Sequence, residues 1–154
     1  MMMEPAEINQ MIETFPTRCR AAGLKVTPQR VAAFSMLAHS DAHPTAEDVY
    51  MAIRHQIPAV SLGTVYKILD TLHQRGFLRK VATQGQTARY DARLTPHQHG
   101  VCTECGTLVD LPAETMPAAL WDIPKSAGFH AEACEVLFQG TCAHCADAKA
   151  SRAS

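Results

Sequence analysis

Apolar residues recur at helical spacing through the first half of the chain and give way to short, broken runs in the second. Ile8, Met11, Ile12 and Phe15 predict a helix from about Pro5 that Pro16 should end or kink, with a short continuation to Ala22 and a stop at Gly23. Thr27 and Pro28 open a second helix as N-cap and first-turn residue, with Val31, Phe34 and Leu37 as its buried stripe to about His39. Thr45 caps a third. Glu47 and Asp48 occupy its first turn, Val49, Ala52 and Ile53 face inward, and Pro58 closes its exit. Leu62, Val65, Leu69 and Leu72 form the stripe of a fourth helix that Gly76 stops.

Phe77–Ala82 and Thr87–Asp91 are strand-like runs around Gln84–Gln86. Helices followed by such a hairpin describe a winged helix-turn-helix, whose recognition helix would expose Gly63, Thr64, Tyr66 and Lys67. Farther on, Gly106–Leu111 reads as a strand and Ala113–Ala127 as a helix despite Pro117 and Pro124. Phe129–Gln139 reads as a longer strand with Cys134, Val136 and Phe138 on one face. The predicted fold is α+β: an N-terminal winged helix-turn-helix domain over 1–86 and a small C-terminal α/β domain over 87–154. Open strand edges in so small a sheet predict a homodimer.

Composition adjusts this picture only slightly. With 47% hydrophobic and 19% charged residues the chain is of the soluble globular kind. It has no membrane-length apolar run and no signal-peptide pattern at its start, so a cytoplasmic location is expected. The net charge of −1 conceals nine Lys/Arg against four Asp/Glu from Thr14 to Gln84, and five against eight from Gly85 to Ser154. A basic first half and an acidic second half suit a polyanion-binding module joined to a cation-binding one.

The chemistry concentrates in the second half. Cys102 and Cys105 form a C-x₂-C knuckle closed by Gly106, and Cys142 and Cys145 form another, which together offer four thiolates to one tetrahedral zinc. That zinc would supply stability the small domain lacks. Asp91, His97, His99 and Asp110 offer harder nitrogen and oxygen donors suited to zinc, manganese or ferrous iron. Cys19 reads as a buried structural thiol.

Taken together, the runs Gly23–Arg30, His43–Tyr50, Thr64–Leu69, Arg89–Asp91, His97–Gly106 and Cys142–Cys145 resemble the ferric uptake regulator family of metal-dependent repressors over Ala22 to Cys145. The resemblance implies a DNA-binding domain, a dimerisation domain, and an inducing Fe²⁺ or Mn²⁺ bound between them by His43, Asp91, His97, His99 and Asp110. It also implies that ligation of His43 sets the posture of the DNA-binding half. Asp110 stands where peroxide-sensing members carry aspartate and many iron-uptake regulators carry glutamate. The set is therefore most similar to the peroxide-stress repressors, in which iron-dependent oxidation of His43 or His97 releases DNA. Expected DNA contacts are Arg30, Ser61, Thr64, Tyr66 and Lys67, on an AT-rich inverted repeat.

Cys134 departs from the family, standing where iron-type members often place a further histidine ligand. Glu114 and His130 would be the remaining donors there, and both read as surface residues. The alternative within the family is an iron-, zinc- or manganese-uptake regulator. Outside it stand a metalloenzyme, for which no acid–base partner or substrate motif is present, and a thiol-redox protein, for which the βαβ setting is missing. No enzymatic activity is expected.

Overall fold

A computed structural model describes residues 3–81, 87–112, 117–132 and 134–153. The expected turn at Gln84–Gln86, the start of the expected helix at Ala113, and Glu114 lie outside the described residues. The chain divides into two compact units, the first ending at Leu94 and the second beginning at Thr95.

Helix α1 (Pro5–Ala21) opens on a capping box between Glu4 and Glu7. It continues through Pro16 instead of ending there. The flanking Phe15 and Cys19 are both fully buried, and this packing outweighs the backbone hydrogen bond that proline removes. Helix α2 (Pro28–Ala38) is capped by Thr27, whose hydroxyl oxygen accepts from Arg30 N at 3.3 Å. In α3 (Ala46–Ile53), Thr45 and Asp48 close a reciprocal box. Ala46, Val49 and Ile53 are buried, whereas Ala52 is exposed, contrary to the expected stripe. Helix α4 (Leu62–Gln74) is capped by Ser61 and buries Val65, Ile68, Leu69 and Leu72, with Gly76 just beyond it at φ 75°.

Strands β1 (Arg79–Val81) and β2 (Arg89–Asp91) pair antiparallel, Arg79 opposite Asp91. This pairing draws 87–94 into the first unit, so the division falls after Leu94 and not at the expected 86/87. Around these elements lies one apolar core in which Phe15 stacks on Phe34 at 4.0 Å between ring centroids, with Phe77 edge-on to Phe15 at 5.5 Å.

The second unit contains β3 (Gln98–Cys102), β4 (Leu108–Leu111), α5 (Ala118–Ser126), β5 (Leu137–Gly140) and α6 (Ala143–Ala153). Its sheet runs β4-β3-β5, antiparallel on one side of β3 and parallel on the other. The central strand β3 and the helix α6 were not expected, and the late strand is four residues long, not eleven. Cys134 and Val136 therefore lie outside it, and Cys134 is exposed.

Candidate functional site

The beam of the second unit is β3. His97, just before it, and His99 within it are two residues apart, so both imidazoles leave the same face of the strand. Across the ladder His99 lies opposite Asp110 on β4. His97 Nε2 and His99 Nε2 are 2.9 Å apart, and they lie 3.5 Å and 3.7 Å from Asp110 Oδ1. Ligands at about 2.0–2.1 Å from a common cation would be separated by roughly 3.0–3.4 Å, so this trio is close to chelating geometry. His97 Nδ1 is 2.8 Å from the carbonyl oxygen of Thr95. A carbonyl only accepts, so that nitrogen carries the hydrogen and Nε2 keeps the lone pair a metal needs.

The far end of the same strand supplies the thiolates. Cys102 ends β3 opposite Gly140 of β5, and Cys142 follows two residues later. Gly106, at φ 72°, closes the first knuckle, its N–H donating to Cys102 O. The Sγ atoms of Cys102, Cys105, Cys142 and Cys145 all lie within 4.8 Å of one another, Cys105 and Cys142 at 3.8 Å. Tetrahedral zinc with Zn–S bonds of about 2.3 Å separates its sulfurs by about 3.8 Å, so the four residues fit that ion.

Their acidities already diverge. N–H donors from Cys142 and then Cys105 draw the Cys102 thiol down to about 6. Cys145 is pushed up to about 12, its S–H shared first with Cys142 and then with Cys105. Four anions cannot crowd so closely without a cation among them. A bond of 2.8 Å from Lys149 on α6 to Glu104 clamps the helix over the knuckle.

The first unit carries a different pair. His43 is buried, with Nε2 3.7 Å from Asp91 Oδ2, while Arg93 N–H donates to Asp91 Oδ1 at 2.7 Å. Among the described residues His43 alone of the non-glycines has positive φ, 49°, and it precedes a proline. This conformation is costly and persists only where the surroundings impose it. The surroundings are β2: Arg89 Nη1 donates to His43 O at 3.2 Å and Tyr90 N–H to Pro44 O at 3.0 Å. Residues 43–45 are thus stapled to the strand that carries Asp91, a role for Arg89 that sequence reading missed.

The expected nucleic-acid contacts gather on α4. Ser61 and Thr64 share a hydroxyl bond of 2.9 Å at its start, with Lys67 exposed one turn on. Tyr66 donates its hydroxyl to Glu47 Oε1 at 2.6 Å, another partner the sequence did not announce. Arg30 lies on α2 with Nη1 donating to Lys25 O. Cys134 and His130 are exposed and join no group of metal-ligand geometry among the described residues. No helix of the described residues is long and apolar enough to cross a membrane.

Comparison with known proteins agrees with this layout. Residues 21–139 match the family model for the ferric uptake regulator family. The chain is 29% identical over 143 residues to the peroxide operon regulator of Bacillus subtilis, spanning 93% of this chain and 96% of that one. It is 34% identical over 144 residues to the transcriptional regulator FurA of Mycobacterium tuberculosis, spanning 92% and 96%. The fold is similar to that of the Helicobacter pylori ferric uptake regulator, a protein described as having three functional metal-binding sites. The TM-score there is 0.74 at 23% identity, covering 90% of this chain and 93% of that one.

Proposed function

The chain belongs to the ferric uptake regulator family, a family of metal-responsive transcriptional regulators and not enzymes, and from that premise we propose that it is a peroxide-sensing, DNA-binding repressor. The observation that carries the peroxide reading is the trio of His97, His99 and Asp110, a compact donor set free of sulfur and built on an aspartate. In this reading His43 and Asp91 of the first unit serve the same regulatory cation, Fe²⁺ or Mn²⁺, and Cys102, Cys105, Cys142 and Cys145 hold a structural zinc. DNA is contacted through α4 by Ser61, Thr64, Tyr66 and Lys67, with Arg30 assisting, at an AT-rich inverted repeat. A second copy completes the repressor by covering exposed Ile123, Phe129 and Phe138 of the second unit.

Ferrous iron held by these residues would supply the redox chemistry for hydrogen peroxide to oxidise a ligand imidazole, the net change being a ring C–H converted to C–OH with water as the other product. The protein's part is to position the ring. His97 is fixed by its Nδ1–H bond to Thr95, and His43 by the left-handed backbone that β2 holds in place. An oxidised ring is a poor ligand, and a cation biases DNA binding only through its differential affinity for the binding-competent form. Loss of one imidazole therefore releases DNA.

Operator affinity measured with manganese and with ferrous iron, before and after peroxide, tests this directly. Peroxide should abolish binding by the iron-loaded protein, spare the manganese-loaded one, and add one oxygen to a peptide carrying His43 or His97. Unaltered histidines with DNA binding retained would make the protein an uptake regulator of the same family.

A further inference from the structure

Tyr66 leaves the exposed side of α4, and its hydroxyl is bound at 2.6 Å to the carboxylate of Glu47, in the first turn of α3. A carboxylate only accepts, so the phenolic proton is committed to Glu47. Both partners register the bond. The Tyr66 hydroxyl is the chief reason that Glu47 is held below the usual carboxylate range, and Glu47 the chief reason that Tyr66 is pushed above the usual phenol range. Glu47 is exposed, whereas Tyr66 is half-buried and packs against the apolar core. Packing of the ring does not by itself fix its hydroxyl, and the short charge-assisted bond to Glu47 does so against competition from water.

What remains on the Tyr66 oxygen is a pair of acceptor sites. A phosphate oxygen is likewise only an acceptor, and the charge on Glu47 repels it. The groups of duplex DNA that can donate to such an oxygen in the major groove are exocyclic amines, N6 of adenine and N4 of cytosine. Lys67, exposed next along the helix, carries the charge that suits a phosphate.

We propose that Glu47 is a positioning residue that turns Tyr66 from a phosphate contact into a reader of base amino groups. This rests on α4 being the helix that meets DNA. The bond also joins the two helices of the helix-turn-helix at the surface, so the hydroxyl is aimed before DNA arrives and no ordering is left for the moment of binding.

The test uses the full chain loaded with manganese and a random-sequence duplex library, followed by affinities for the selected duplex with each base pair exchanged, across a salt series. Wild type should discriminate at one amino-bearing base pair per half-site. Tyr66→Phe and Glu47→Ala should each lose about tenfold in discrimination at that same pair. The salt slope of Tyr66→Phe should be unchanged, because no charge is removed, and in discrimination the double variant should be no worse than either single one. Glu47→Gln, whose amide oxygen still accepts, should retain the preference. Unchanged discrimination in Tyr66→Phe or Glu47→Ala overturns the proposal, as does a loss of affinity in Tyr66→Phe that is uniform across all duplexes, the mark of a lost phosphate contact. A wild-type protein that selects no sequence at all defeats the DNA-binding reading and the proposal with it, a result distinct from selection that ignores Tyr66.

Discussion

The two units of this chain are stabilised by different physics. The first gathers Phe15, Phe34, Leu37, Val49, Val65, Leu69, Leu72 and Tyr90 into a continuous core with almost no exposure. Among the described residues of the second, the buried apolar side chains are Val101, Cys102 and Leu108, and Cys102 belongs to the four-cysteine cluster. A unit with so little core gains most from cross-links, and on the proposed function a zinc held by the four convergent cysteines provides them. Cys102→Ser should therefore have the largest effect of any single change. Structural zinc contributes on the order of 10 kcal/mol to the folding of small domains, far more than this unit's core can replace. Hydrogen exchange should show protection lost from 95–154 and retained in 3–94, with zinc gone by metal analysis. Equal loss in both units would erase the contrast.

The converse change lies in the first unit. Phe34→Ala removes one face of the stack with Phe15 and should cost about 3–5 kcal/mol in denaturant unfolding of that unit. Zinc content should stay normal, because no thiolate depends on the aromatic core.

The same contrast explains which features could be read in advance. Helices α2, α3 and α4 were legible because their signals are local: Thr27 with Pro28, Thr45 with Asp48, and for α4 the apolar stripe with its stop at Gly76. The four cysteines were legible because two knuckles of that spacing have few other uses. Strand β3 was not, since Gln98–Cys102 carries a histidine, a glycine and a cysteine where a strand would show alternating apolar residues. On the proposed function, the demands of ligation have replaced the pattern that signals the element. Pro16 misled for the opposite reason, because packing around Phe15 and Cys19 overrides the local signal. The tie between Glu47 and Tyr66 spans nineteen positions and leaves no mark in either segment.

Next in size comes the change that separates folding from regulation. On the proposed function, His43→Ala should leave zinc content and dimerisation near normal, because the residue belongs to neither the apolar core nor the thiolates. It should remove the gain in operator affinity on adding manganese, a coupling of about 5–150-fold in proteins that work this way. Titration calorimetry and fluorescence anisotropy on one preparation would read both. Metal-dependent binding that survives in His43→Ala would assign the switch to the second unit alone.

The smallest effects belong to the α3 cap, where they test how far the first unit is held by its core. Thr45→Ala removes the cap acceptor and should cost about 1 kcal/mol. Asp48→Asn removes only charge at the helix start and should cost about 0.5 kcal/mol at neutral pH. The second figure depends on pH in a defined sense. The N–H and then the hydroxyl of Thr45 hold the Asp48 carboxyl below its ordinary range, so its contribution is complete above pH about 4 and fades as pH falls through the lower folded value. The penalty of Asp48→Asn, read from exchange of the α3 amides, should accordingly shrink towards zero in acid. A penalty that stays constant into acid would mean that amide geometry, not charge, closes this cap.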